Sequence, residues 1–260
     1  MPPASPSQDL TDAFMSTVEQ GDIKAVNAML QGNPALAKAV QEKIPSSNRV
    51  VERTALHIAA EKGYIAVADA LITAGAEVDA PDWSGTTPLM KATEEARPDM
   101  VAFLLKKKAD PNKTAFGKST ALMSAAEHGC TECAQLLLDA DAKINAVMDD
   151  DGTALHAAVF AKFNAEDMVR YLIERGIDTN IPNDAGQTAA DVAHVLAKTQ
   201  PHANRLAQII DEYPAQYAAS EAARQEKESF AAEINTAFRK GTAQIMPAPK
   251  RARFTPKNTV

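Results

Sequence analysis

Apolar residues recur along the chain in short blocks with a period of 33 residues. The block Thr-Ala-Leu-His at Thr54 returns as Thr-Pro-Leu-Met at Thr87, as Thr-Ala-Leu-Met at Thr120 and as Thr-Ala-Leu-His at Thr153. A second apolar run follows each block, at 67–72, 100–105, 133–138 and 168–173. This pattern predicts two short helices per repeat, because a threonine before apolar residues caps a helix. One helix pair cannot bury its apolar face alone, so the copies are predicted to stack into a solenoid.

Weaker copies of the pattern flank the clear ones. One begins near Asp12 and another near Thr188, so about six repeats run over residues 10–213. Degraded patterns are expected in the first and last repeats, because their outer faces meet solvent. The predicted fold class is therefore all-α.

Composition agrees with closely packed helices. Alanine accounts for 51 of the 260 residues and aromatic residues for only 5%, and alanine is the strongest helix former. No apolar run approaches the roughly 20 residues that a membrane-spanning helix needs. Two cysteines are too few for a disulfide scaffold, which favours a cytoplasmic protein over one from an oxidising compartment.

Charge divides the chain into an acidic body and a basic tail. The net charge is −7, but six of the 27 basic residues lie within 239–260, where there is no acid, which leaves 21 basic against 34 acidic residues elsewhere. An acidic body repels phosphate and argues against a nucleic-acid partner. The tail carries Lys250, Arg251 and Arg253, which resemble either a short nuclear import motif or the export tail of a host-directed effector. The simplest interpretation is that the tail carries no targeting signal.

The repeats resemble the ankyrin repeat family, and residues 54–80 match its pattern most fully. This copy opens with Thr-Ala-Leu-His-Ile-Ala-Ala, turns at Gly63 and ends its second helix before Gly75 and Ala76. The resemblance implies helix-turn-helix repeats with β-turn fingers and a non-enzymatic scaffold that binds proteins through the finger tips and concave face. His57 and His156 hold fixed positions in their repeats, so we interpret them as hydrogen-bonding neighbouring backbone groups of the same repeat rather than as metal ligands or catalytic groups.

Carried over by position, the resemblance assigns partner-binding residues to repeats three to five. They are Trp83, Ser84, Thr86, Lys91, Glu94 and Glu95, then Phe116, Ser119, Glu127 and His128, then Asp149, Asp150 and Asp151. Trp83 either anchors an interface or packs on the adjacent finger. The acidic run either recognises a basic partner or is a solvated turn, and it lacks the ligand spacing of a calcium loop.

Two departures from the repeat period stand out. About nine extra residues within 33–52 predict a long finger rich in loop formers, which is either a partner-binding loop or a neutral insertion. Repeat five carries two extra residues near Phe160 and Phe163. These rings either form an exposed apolar contact or fill the lengthened turn, and we favour the second interpretation.

Candidate chemistry is sparse. Cys130 and Cys133, with His128 beside them, are candidates for a zinc or redox site. A structural zinc site needs four ligands, and no second Cys/His pair with the usual spacing is present. A redox Cys-x-x-Cys normally lies near a βαβ pattern, which the sequence lacks. We therefore interpret both cysteines as packing residues. Phosphate-binding loops and hydrolase motifs are missing from the sequence. These features predict no catalytic, cofactor-binding or metal-binding residues and argue against an enzyme.

The C-terminal region predicts one more helix. Pro214 is expected to end the last repeat helix, with a separate helix over 214–241. Its apolar stripe of Phe230, Ile234 and Phe238 either docks on the last repeat, which we favour, or binds a partner. Residues 1–9 and 242–260 are predicted to be disordered.

Three functional interpretations follow. The favoured one is a monomeric cytoplasmic adaptor over residues 10–213, and the alternative is a nuclear or host-directed regulatory effector addressed by its tail. A redox or metal protein using the cysteine pair is the weakest of the three.

Overall fold

The computed structural model describes residues 6–44, 49–150, 152–200 and 202–239. Twelve α-helices in this part of the chain follow one another as six antiparallel pairs. They are α1 (Gln8–Gln20) and α2 (Ile23–Gly32), α3 (Ala55–Lys62) and α4 (Ile65–Thr73), α5 (Pro88–Glu94) and α6 (Pro98–Lys106), α7 (Ala121–Glu127) and α8 (Thr131–Asp139), α9 (Ala154–Val159) and α10 (Ala165–Glu174), and α11 (Ala189–Leu196) and α12 (His202–Arg239). The predicted all-α solenoid of about six repeats is confirmed. None of the described helices has the length and apolar character needed to cross a membrane.

The repeated threonines begin the first helix of each clear repeat. The hydroxyl oxygens of Thr87 and Thr120 each accept a hydrogen bond from the backbone N–H three residues ahead, at 3.3 Å. These bonds satisfy N–H groups that have no partner within the helix. Gly63 ends α3 at a φ of 75°, a left-handed conformation that glycine adopts without steric cost.

The core is a layer of leucines between successive helix pairs. Leu56, Leu89, Leu122 and Leu155 hold the same position in repeats two to five, and each is at most 1% exposed. The first helices stack in chain order, with α3 on α5, α5 on α7 and α7 on α9. Buried alanines in the same helices, such as Ala125 and Ala126, let the layers approach closely.

The insertion between repeats one and two contains a β-hairpin. A 3-10 helix over Pro34–Lys38 leads into β1 (Val40–Ile44), which pairs antiparallel with β2 (Arg49–Thr54). The sequence predicted a finger of loop formers, and the strands were missed because the Pro-Ser-Ser-Asn run at 45–48, outside the described residues, dominated the pattern. Arg53 ties the hairpin to the helices through ion pairs with Glu19 at 2.8 Å and Glu61 at 3.1 Å.

The chain divides into two compact units, Met1–Pro214 and Ala215–Val260. The prediction that Pro214 ends the last repeat helix is wrong, because α12 continues through it to Arg239. A proline removes one backbone hydrogen bond and opposes the helix by about 3 kcal/mol, and the alanine-rich stretch that follows it, 215–223, favours continuation of the helix. The side chains of Phe230, Ile234 and Phe238, and all of residues 240–260, lie outside the described residues.

Candidate functional site

The fingers between repeats form a hydrogen-bonded row along one edge of the array. We call them finger 3 (81–87), finger 4 (114–120), finger 5 (147–153) and finger 6 (182–188). From finger 4 onward, each donates one tip N–H to a carbonyl oxygen of the finger before it. The bonds run from Phe116 to Ser84 at 2.8 Å, from Asp149 to Gly117 at 2.9 Å and from Asp184 to Asp150 at 2.8 Å. The tips are therefore held side by side by their own backbone.

Trp83 and Phe116 form an aromatic pair at the tips of fingers 3 and 4. The ring centroids are 6.0 Å apart and the ring planes are inclined by 78°, an edge-to-face arrangement that aromatic rings prefer. Trp83 nevertheless stays 45% exposed and Phe116 68% exposed. Trp83 thus packs on the adjacent finger, as one of the two interpretations held, while much of its ring remains open to solvent.

Asp82 fixes the backbone that presents Trp83. Its Oδ1 accepts hydrogen bonds from the N–H of Ser84 at 2.8 Å, the hydroxyl of Ser84 at 2.7 Å and the N–H of Thr86 at 2.9 Å. Thr86 is only 6% exposed, and its hydroxyl lies 2.8 Å from that of Ser84. Ser84 and Thr86, two of the predicted site residues, therefore help to maintain the turn.

The two repeat histidines link one repeat to the next. His57 Nδ1 accepts from the N–H of Thr54 at 3.1 Å, and Nε2 lies 2.9 Å from the carbonyl oxygen of Thr86 in finger 3. His156 is bonded in the same way to Thr153 and to Gln187 of finger 6. The prediction of hydrogen bonds within one repeat is thus incomplete. Burial lowers the pKa of His57, although the bond to Thr86 opposes that shift.

Three further predicted residues lie on or beside the first helices without forming a cluster. Lys91 and Glu94 pair with each other on α5 at 2.7 Å, and Glu95 is exposed at the end of that helix. This arrangement leaves no unpaired cation on the exposed surface of α5.

His128 marks the end of α7. Its Nδ1 lies 2.9 Å from the carbonyl oxygen of Ser124, so the ring terminates the helix that carries it. Because this nitrogen is already engaged, the ring contributes at most its other nitrogen to a partner.

The acids of the run at finger 5 differ in their contacts. Asp149 forms an ion pair of 2.8 Å with Lys118 of finger 4. Asp150 accepts a hydrogen bond from the N–H of Gly152 at 3.1 Å and is exposed. Asp151 lies outside the described residues. The structure therefore presents one acid of this run, Asp150, without a cationic partner among the residues it describes.

A groove lies between the fingers and the first helices of repeats four to six. It encloses about 400 Å³. Three predicted residues, Ser119, Glu127 and Asp150, line it together with residues that sequence reasoning did not select. These additional residues include Met123, Met148, Phe160, Asn183, Gln187 and Val192.

The groove residues that the sequence did not predict were missed for different reasons. Phe160 belongs to the lengthened turn that the sequence singled out, and its ring is 58% exposed rather than packed into the turn. Phe163 is 74% exposed, so the favoured interpretation of both rings is wrong. The physical reason is that the backbone fills the space, since the Phe163 carbonyl oxygen contacts Gly129. Asn183 and Gln187 were missed because finger 6 belongs to a degraded repeat.

The cysteine pair is bonded. Cys130 and Cys133 form a disulfide with Cα atoms 5.3 Å apart, which corrects their interpretation as two separate packing residues. Cys130 is the N-cap of α8 and Cys133 is fully buried, so the helical turn itself brings the two sulfur atoms together. Within the described residues, no group of three or more His, Cys, Asp or Glu side chains could hold a metal ion.

A family model described as ankyrin repeats in three copies matches residues 14–115 and 110–183. The chain belongs to the ankyrin repeat family. The crystal structure of the ankyrin repeat protein EF0377 superposes with a TM-score of 0.62 and 27% identity, over 78% of this chain and 98% of that one. Both findings agree with the stacked helix pairs.

Several curated relatives are similar to part of this chain. A probable E3 ubiquitin-protein ligase, XBOS33 of Oryza sativa subsp. japonica, is 27% identical over 70% of this chain and 35% of its own length. The E3 ubiquitin-protein ligase KEG of Arabidopsis thaliana is 31% identical over 65% of this chain and 10% of its own length. The putative palmitoyltransferase ZDHHC13 of Danio rerio is 30% identical over 54% and 22%. The matched region thus spans about a third or less of the length of these relatives.

Proposed function

We propose that this ankyrin repeat chain is a non-enzymatic interaction module that binds a partner protein across its finger tips and concave groove. The observation that carries the proposal is the exposed pair of Trp83 and Phe116. Large aromatic side chains near the centre of an interface often supply much of its binding energy. Here two such rings are held against each other on a hydrogen-bonded edge, so little side-chain freedom remains to be lost on binding.

The relatives support a binding role for the shared region. Proteins named as ubiquitin ligases and as a palmitoyltransferase are similar to between 54% and 70% of this chain. Since different named activities accompany this similarity, the matched region is better explained as a module for recognition than as the source of either reaction. The basic tail with Lys250, Arg251 and Arg253 lies outside the described residues, so its role as an address stays a prediction.

The test removes the two aromatic side chains and measures how binding of the partner changes. The full chain and a Trp83→Ala/Phe116→Ala variant are used as baits in the source cell, and bound proteins are identified by mass spectrometry. A partner retained by the wild type is then purified and its dissociation constant is measured for both. We expect the double variant to lose about 2 kcal/mol or more of binding free energy, with an unchanged circular dichroism spectrum.

A matched control is available in repeat five. Phe163 is 74% exposed, lies in the turn between α9 and α10 and is not among the residues that line the groove. Phe163→Ala is expected to bind the partner as the wild type does. Normal binding by the Trp83→Ala/Phe116→Ala variant, or equal losses in both variants, would contradict the proposed site.

A further inference from the structure

The groove of repeats four to six combines an apolar surface with carboxylates at one end of the array. Its apolar part is provided by Met123, Met148, Val192 and the exposed ring of Phe160. Its polar part includes Ser119, Asn183 and Gln187. A volume of about 400 Å³ is within the range of pockets that hold a small ligand or a few side chains.

The described side chains that line the groove carry charge of one sign. Among them Glu127 and Asp150 are charged, and neither a lysine nor an arginine is present. Glu127 is exposed at the end of α7 and forms no ion pair with a residue that the structure describes. Asp149, next to Asp150, is in contrast paired with Lys118.

We infer that this groove binds an extended peptide segment of the partner that carries an arginine or lysine beside an apolar or aromatic residue. The inference rests on the proposed function and identifies the partner's chemistry at one part of the surface. The cationic head contacts Glu127 and Asp150, while its neighbour packs on Phe160 and Met148.

The chemistry of a basic side chain fits both halves of the groove. Arginine and lysine carry long aliphatic stems that pack on apolar surface while the charged head stays at a polar edge. A guanidinium forms strong charge-assisted hydrogen bonds with carboxylates and stacks on aromatic rings. An acidic peptide is disfavoured, because both charged lining groups repel it. Methionine side chains adapt their shape, so the apolar neighbour need not be one particular residue.

The test is a selection from a displayed library of random peptides on the full-length chain. We expect the enriched peptides to share a basic residue next to an apolar or aromatic one. One enriched peptide is then synthesised and titrated against the wild type, Glu127→Gln and Asp150→Asn. Each substitution is expected to weaken binding about tenfold or more, since a hydrogen bond to a charged group is typically worth enough for that factor.

The neighbouring acid supplies a matched control. Asp149→Asn removes a charge from the same finger, but one already neutralised by Lys118, so its effect is expected to stay within about threefold. Raising the salt concentration should weaken the wild type more than the Glu127→Gln variant.

Several results would overturn the inference. One is enrichment of peptides without basic residues, or of none at all, and another is equal affinity of the wild type and both groove variants. Self-association of the full chain that Glu127→Gln abolishes would identify a copy of this chain as the occupant instead. If the natural partner needs Trp83 and Phe116 but not Glu127 and Asp150, the proposed function stands and this inference fails.

Discussion

Individual polar side chains join the repeats of this protein. His57 and His156 each use one ring nitrogen to cap their own helix and the other to reach a carbonyl oxygen in the following finger. For His57 the accepting Nδ1 and the donating Nε2 define the neutral imidazole, because Thr54 supplies a backbone N–H and Thr86 a carbonyl. Buried polar atoms need such partners, and this ring satisfies two chain segments at once.

The lowered pKa of His57 predicts a loss of stability in mild acid. The unfolded chain takes up a proton near the ordinary pKa of 6.5, while the folded ring resists it until a lower pH. The unfolded state therefore binds more protons below about 6.5, and the free energy of unfolding falls with decreasing pH through that window by at most about 1.4 kcal/mol per pH unit.

His57→Met isolates this effect, because methionine holds the same position in repeats three and four, at Met90 and Met123. The variant is expected to be less stable than the wild type at pH 7.5 by about 1–3 kcal/mol, since the Thr54 N–H and the Thr86 carbonyl lose their partner. Urea denaturation at pH 7.5 and 5.5 measures the difference. It should shrink at pH 5.5, and a difference that does not change with pH would contradict the explanation.

Among the elements, the turns between paired helices carry constraints that the helices do not. The turn after α7 places Gly129 at a φ of 66°, where the carbonyl oxygen of Phe163 occupies the space that a β-carbon would need. The lengthened turn of repeat five therefore packs directly on the turn of repeat four. Asn164 adds a hydrogen bond of 3.4 Å to the Gly129 carbonyl oxygen.

This close approach predicts different costs for two glycines in the same kind of conformation. Gly176 has a φ of 86° and open space where a β-carbon would lie. Gly176→Ala should therefore lower the free energy of unfolding by only the cost of a left-handed alanine, about 1–2 kcal/mol. Gly129→Ala adds a clash with the backbone and is expected to cost about 1–3 kcal/mol more. Chemical denaturation measures the loss of unfolding free energy in both variants. Equal losses would show that the turns of repeats four and five do not pack tightly on each other.

Across the whole molecule, stability is built from contacts between neighbouring repeats. Each first helix packs on the next, and the leucines between them are almost completely buried. In such an array the free energy of folding is approximately a sum over repeats and their interfaces. A change in a central repeat therefore weakens interfaces on both sides.

Leu122→Ala in repeat four is the corresponding prediction. Leu122 is 1% exposed, whereas Leu10 in the first helix is 36% exposed. The first substitution leaves a cavity and should lower the free energy of unfolding by about 2–5 kcal/mol. Leu10→Ala, the control, should change it by about 0.5 kcal/mol. Urea denaturation followed by circular dichroism compares them, and a small loss at Leu122 would argue against tight central packing.

The helix pairs were predictable because their determinants are local and periodic. Thr87 and Thr120 cap helices, Leu89 and Leu122 recur one period apart, and these signals require no knowledge of distant contacts. Pro214 is the exception, since its local preference was outweighed by the helix on both sides. The β-hairpin of the insertion was missed because pairing between β1 and β2 joins residues up to 14 apart, as from Val40 to Thr54.

The sequence by itself determined the fold, the number of repeats and the finger positions of Trp83 and Phe116, because a 33-residue period fixes which residues are equivalent. Only the tertiary structure decided what those residues touch. It joined Trp83 to Phe116, paired Asp149 with Lys118 and left Asp150 to share a groove with Glu127. These outcomes depend on the distance between side chains of different repeats, and the stacking of successive layers sets that distance.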